Sequence, residues 1–500
     1  MTAESALSTK PETTPKKETK WIWLVAATLA MLIVLMLPAP AGLPVAGQRA
    51  LAVLAFAVIL WISEAVTYPV SATLVVALTT LLLGLSPSVD KPGTLMGTKE
   101  ALNLALSGFS NSAVALVAGA LFLAAAMQET GLDKRIALYI LSKVGSGTRS
   151  ILFGAILVAV VLSFFVPSTT ARVGAILPII LGMVAAFGLP KNSRFAALLV
   201  IASAQAASIW NIGVKTAAAQ NMVAIGFMEK AFKSTVTWGQ WFLYAAPWAI
   251  LMSVVLYFVM LKVIPPEMKS IPNGQEMVKK QLEELGPLDG KQWRLMIIAV
   301  SLLFLWATEN ILHPLDSTTA TLIAVAVMLT PYIGVFTWKQ AEKDIPWGTV
   351  ILFAVGISLG SVLLKTKAAT WLANALFESV GLTTLSVLAI VAVLSAFNIL
   401  VHLGFASATS LAAVLIPVVI ALVQGMDRPD INGPGLVLIQ QFVISFGFLL
   451  PVNAPQNMLA YGTETFTTKD FIKSGIPLTI VGYLLILLMS VTYWQWVGLL

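Results

Sequence analysis

Apolar runs of bilayer-spanning length, one after another, constrain this chain more than any other feature. They fall at about 21–38, 49–67, 70–87, 108–128, 151–184, 195–227 and 240–263, and then at about 294–312, 316–337, 347–364, 382–424, 435–462 and 474–500. A helix needs about 20 apolar residues to cross the hydrocarbon core, where its backbone must satisfy its own hydrogen bonds. The expected fold is therefore an all-α polytopic membrane protein. Charged residues make up only 11% of the chain, against about 25% in soluble proteins. The 30 Lys and Arg residues, set against 23 Asp and Glu, are scattered over short loops. That pattern reports membrane orientation and not a nucleic-acid surface. The chain has no cysteine, which excludes disulfides, thiolate metal sites and cysteine nucleophiles.

Two of the runs cannot be single straight spans. Stretches 151–184 and 382–424 carry polar centres, Val-Pro-Ser-Thr-Thr and His-Leu-Gly-Phe-Ala-Ser-Ala-Thr, that suit helical hairpins entering and leaving by one side. The expectation is then about eleven spans plus two re-entrant hairpins. Residues 1–20 form a polar, disordered, cytoplasmic tail, and 21–48 the first helix and an external turn, with the first apolar run retained and not cleaved as a signal. Residues 265–293 form a cytoplasmic connector. This layout puts about 20 Lys and Arg inside and about 8 outside, as the positive-inside rule requires. The localisation expected is the plasma (inner) membrane.

The stretches 49–264 and 294–500 match each other. Trp61, Glu64 and Pro69 recur as Trp306, Glu309 and Pro314; Ser168, Thr170 and Pro178 as Ser407, Thr409 and Pro417; Gln220-Asn221-Met222 as Gln456-Asn457-Met458. Each copy holds an odd number of crossings, so the second is inverted, and inverted repeats with helices broken at mid-membrane are the architecture of secondary transporters. The amphipathic arm Leu132, Ile136, Ile140 and Val144 has interfacial spacing, and its copy is expected at 365–380.

Irregular backbone at membrane depth survives only where protein or a watery cavity satisfies it. Four such interruptions occur: the tips around Ser168 and Ser407, and the breaks at 215–221 and 453–457. Ser, Thr and Asn supply uncharged hydrogen-bonding groups there, and helices starting at these points turn positive dipole ends to the gap. An isolated Ser/Thr cluster would be interhelical packing, but duplication at matching depth points to a binding site. The candidate substrate residues are Ser168, Thr169, Thr170, Asn221, Ser407, Thr409 and Asn457. Arg172, Lys215 and His402 lie in the gap regions without an acid among them, so the cargo is expected to be an anion. Arg172 has the alternative of a structural pair with Glu64 or Glu309, or of snorkelling to the surface. Lys215 has that of facing water, His402 that of packing. Glu64 and Glu309 read as structural pairs, and Ser110-Asn111-Ser112, lacking a counterpart, as the start of a span.

The tips Val-Pro-Ser-Thr-Thr-Ala-Arg and Phe-Ala-Ser-Ala-Thr, the stretch Ser-Gly-Phe-Ser-Asn-Ser, the Gly-Leu-Asp-Lys-Arg-Ile-Ala-Leu arm and the Asn-Ala-Pro-Gln-Asn break together resemble the divalent anion:sodium symporter family over nearly the whole chain. The resemblance implies transport of di- or tricarboxylates such as succinate, malate, 2-oxoglutarate, tartrate or citrate. It implies a homodimer in which a transport domain bearing both hairpins moves, elevator-like, against a scaffold. It implies no catalysis and no cofactor, with sodium only as a co-substrate. The family's tip pattern is Ser-Asn-Thr, whereas here the tips read Ser168-Thr169-Thr170 and Ser407-Ala408-Thr409, without the central Asn. Arg172 and His402 stand beside the tips, and the Arg resembles the antiporter branch. Fixed positive charge in place of bound sodium makes obligatory exchange the expected mode. Sodium-coupled symport is the alternative, and an anion channel or a Ser168- or Ser407-based intramembrane hydrolase are further ones.

Overall fold

The computed structural model describes residues 17–270, 274–377, 381–426 and 428–500; the expected tail lies outside them as far as residue 16. Helices carry the chain throughout, and no strand occurs among the described residues. Straight spans are Lys17–Met36, Val45–Ser63, Tyr68–Gly84, Ser112–Thr130, Trp238–Val263, Gly290–Ala307, Ser317–Leu329, Trp347–Lys365 and Thr468–Ser490. Two further spans are broken, Arg194–Gly213 followed by Ala219–Phe232, and Gly433–Ile444 followed by Pro455–Tyr461. The protein is thus a multi-pass, all-α membrane protein.

Both interrupted runs are hairpins. The first has arms Thr148–Phe165 and Thr169–Ala186, the second Val387–His402 and Ala408–Gly425. The turn at the first tip follows from Pro167, which lacks an N–H and holds Val166 in extended conformation (φ −118°, ψ 94°). Each second arm then restarts on a serine cap: Ser168 Oγ accepts from the Ala171 N–H and Ser407 Oγ from the Ser410 N–H, both at 3.3 Å. Asn111 is likewise a cap, accepting from the Ala113 N–H at 2.8 Å and starting Ser112–Thr130.

The order of elements repeats after the first helix. Two spans, a short helix (Thr98–Ala105 or Trp338–Asp344), a third span, an arm (Leu132–Lys143 or Ala368–Phe377), a hairpin, a broken span and a last long span follow one another in each half. Packing between the halves is reciprocal. Thr169–Ala186 lies on Pro455–Tyr461, and Ala408–Gly425 on Ala219–Phe232. Ser112–Thr130 lies on Ser317–Leu329, and Trp347–Lys365 on Tyr68–Gly84.

Two hydrogen bonds cross between the breaks in the same reciprocal way. Gln220 Nε2 donates to Ser445 Oγ at 3.1 Å, and Gln456 Nε2 donates to Ser208 Oγ at 3.0 Å, with all four residues buried. Losing either glutamine removes one hydrogen bond between the breaks, a cost of about 0.5–1.5 kcal/mol, and Ser208 Oγ keeps its bond to the Ala204 carbonyl at 3.0 Å. Gln220→Leu and Gln456→Leu are therefore expected to lower the melting temperature in detergent by similar amounts. Wild-type melting of both would show that this crossed pair ties nothing together.

Candidate functional site

The two tips and the two breaks open onto one cavity of about 1180 Å³. Pro167–Ala171 and Ser407–Thr409 supply the tips, and Asn211, Gln220, Ser445 and Gln456 the breaks. Residues 64–70 and 346–349 belong to the surrounding wall. Four elements that are far apart in sequence are thereby brought to one place.

The tips present hydroxyl donors. Ser168 and Ser407 use their oxygen to cap a helix, which leaves the Ser168 O–H proton for whatever fills the cavity, while the Ser407 hydroxyl also meets Tyr68. Thr170 and Thr409 line the same space. Two helices of 18 residues begin here, and their first N–H groups and dipoles favour negative charge.

Arg172 lies behind the first tip, 1% exposed. Its Nη2 donates to Asn211 Oδ1, to Thr169 Oγ1 at 3.3 Å and to the Ala207 carbonyl at 3.4 Å. Thr169 Oγ1 also donates to Asn211 Oδ1, at 2.8 Å. Neither anticipated acid meets this arginine. Glu64 accepts from the Tyr68 hydroxyl at 3.2 Å, while Glu309 accepts from Ser317 Oγ at 2.6 Å and from the Trp238 and Ser317 N–H groups at 3.2 Å. Among the described residues Arg172 has no carboxylate partner, and its Nε and Nη1 bond to nothing. A buried cation left unneutralised costs several kcal/mol.

His402 also lines the cavity, with Nε2 3.3 Å from the Asn453 carbonyl oxygen and Nδ1 unpartnered. Asn453 Nδ2 donates to the carbonyls of His402 at 3.0 Å and Phe405 at 3.3 Å, clamping the second tip to the second break. Lys215, by contrast, is not on the cavity wall. It is buried, and its Nζ donates to the Val236 carbonyl at 2.7 Å.

Asn221 and Asn457 stand behind the wall too. Asn221 Nδ2 donates to the Asn211 carbonyl and Asn457 Nδ2 to the Gly447 carbonyl, each at 2.7 Å, so both satisfy carbonyls freed where a helix stops. The wall contains carboxylates as well, Glu64 and Asp344. Sequence reasoning did not single out Asn211, Gln220 or Gln456 as wall residues. The duplicated Gln-Asn-Met contained the signal for two of them, because neighbours on a helix point about 100° apart and only one of Gln and Asn can face inward.

A family profile described as the sodium:sulfate symporter transmembrane region matches residues 18–500. A membrane protein of Cupriavidus necator is 50% identical over 97% of this chain and 94% of its own length. The L-tartrate/succinate antiporter of Escherichia coli K12 is 28% identical, covering 96% of this chain and 99% of its own. The sodium-dependent dicarboxylate transporter SdcS of Staphylococcus saprophyticus is 26% identical, covering 93% and 90%.

Proposed function

We propose, for a chain that belongs to the sodium:sulfate (divalent anion:sodium) symporter family, that it exchanges small dicarboxylates across the plasma membrane through the cavity between its two hairpin tips. The observation that carries this reading is the pairing of hydroxyl-bearing tips with an unneutralised Arg172 behind one of them. A dianion of four or five carbons can place one carboxylate at each tip, on O–H donors and helix starts. Di- and tricarboxylates are the cargo class, and their membrane partners are lipid and a second copy of the chain in a homodimer. The amino terminus lies inside, the two repeats are inverted, and a transport domain carrying both hairpins moves past the scaffold.

Exchange is favoured over symport by charge. Thr169 and Ala408 stand where the family's symporters have amide side chains, while Arg172 supplies a fixed cation. The likeness to SdcS keeps sodium-coupled symport as the second reading. Purified protein in proteoliposomes decides between them. Labelled succinate is expected to enter only against internal dicarboxylate and without need of sodium. Uptake into anion-free vesicles driven by a sodium gradient would replace exchange by symport, and large unitary currents without counter-transport would replace both by a channel.

A further inference from the structure

The two halves of the site are chemically unequal, and three of the unequal positions are linked by hydrogen bonds in the first half. Ser168 and Ser407, with Pro178 and Pro417, fix the register of the hairpins, which places Ala408 opposite Thr169 and Leu411 opposite Arg172. The matching latches from Asn221 to the Asn211 carbonyl and from Asn457 to the Gly447 carbonyl fix the register of the breaks, which places Gly447 opposite Asn211. The first half thus holds a Thr, Arg and Asn that bond to one another, and the second an Ala, Leu and Gly.

The bonding within the trio sets the direction of the Asn211 amide. Arginine has donors only, so the amide oxygen and not the nitrogen must face Arg172. Thr169 donates to the same oxygen. The NH₂ end is therefore held the other way. Asn211 lines the cavity, its Nδ2 bonds to no protein group among the described residues, and that atom is absent from the buried, unpartnered ones. It is a free donor facing the space between the tips. At the second tip the donors are the Ser407 and Thr409 hydroxyls, with Tyr68 beside Ser407 and the His402 ring, its Nδ1 unpartnered, on the same wall.

We infer that Asn211, oriented by Arg172 and Thr169, directly binds one carboxylate of the substrate, and that the second tip accepts an end group that need not be charged. The inference rests on the dicarboxylate reading given above and deepens it. Arg172 is in this account a positioning residue that also lends its charge, and the substrate class widens to acids carrying one carboxylate and one neutral hydrogen-bonding end of similar length.

Competition against labelled succinate in counterflow tests it, with succinate, succinamate (one carboxylate replaced by an amide) and succinamide (both replaced) as competitors. Succinamate should compete within about tenfold of succinate and succinamide not at all, since charged hydrogen bonds outweigh neutral ones by about 1–2 kcal/mol. Asn211→Asp puts an anion at the first tip. It should weaken succinate more than succinamate, which can turn its amide to that end, so the order of preference shifts by tenfold or more. A purely structural role for Asn211 would weaken both equally. Asn211→Gly, the residue the other half already uses, should lose affinity for both, with a melting curve in detergent run beside it to show that the variant is folded. An unchanged succinamate-to-succinate ratio in Asn211→Asp, or rejection of succinamate by more than a hundredfold in the wild type, overturns the inference. Failure of the wild type to exchange any dicarboxylate overturns the parent reading instead, and the inference with it.

Discussion

Replacing Ser168 and Thr409 together by alanine is expected to abolish dicarboxylate counterflow while leaving the protein folded. Each substitution removes one hydroxyl from one tip, so neither carboxylate of a bridging substrate keeps its full set of donors. A hydrogen bond to a charged group contributes about 1.5–3 kcal/mol. Two losses sum to about 3–6 kcal/mol, or roughly a 10²–10⁴-fold loss of affinity. The cost to the fold is smaller. Ser168 caps Thr169–Ala186, and loss of a cap costs about 1 kcal/mol, whereas Thr409 Oγ1 makes no side-chain bond among the described residues. A melting curve in detergent, run beside counterflow, separates the two effects. Exchange at the wild-type rate in a folded double mutant would place the site elsewhere.

What the sequence made legible here were the features that are duplicated. The paired Ser168/Ser407 and Thr170/Thr409, with Pro167 at the first tip only, announced the hairpins, because small polar residues have no reason to interrupt an apolar run twice at the same spacing. Features present in one half only were harder to see. Asn211 ends an unbroken apolar helix, Arg194–Gly213, whose counterpart position is Gly447, so no repetition marked it. The two glutamates show a different limit. Glu64 and Glu309 are equivalent by spacing, yet Glu64 is exposed on the cavity wall while Glu309 is buried against Ser317 and Trp238. Sequence symmetry is a property of the chain, but equivalent residues sit in different surroundings in the fold.

Asymmetry of charge leads to the second large effect. Arg172→Leu, which installs the residue that the second half carries as Leu411, is expected to convert obligatory exchange into leaky transport. On the exchange reading proposed above, an empty cavity leaves a buried guanidinium without a counter-charge as the carrier returns, a penalty of several kcal/mol. A bound dianion gives the guanidinium a counter-charge through one carboxylate, while its second carboxylate is met by the hydroxyls and helix start of the second tip. Return with cargo is then faster than return without it by the same free energy, roughly a hundredfold or more. Leucine removes both the penalty and the attraction, so affinity for succinate should fall tenfold or more as Asn211 and Thr169 lose their partner. Net uptake into vesicles containing no dicarboxylate, near zero for the wild type, should rise toward the exchange rate measured at saturating substrate. The two readouts move in opposite directions, which distinguishes loss of coupling from loss of protein. Strict exchange retained by a folded Arg172→Leu carrier would show that some other barrier, and not this charge, holds the empty transporter still.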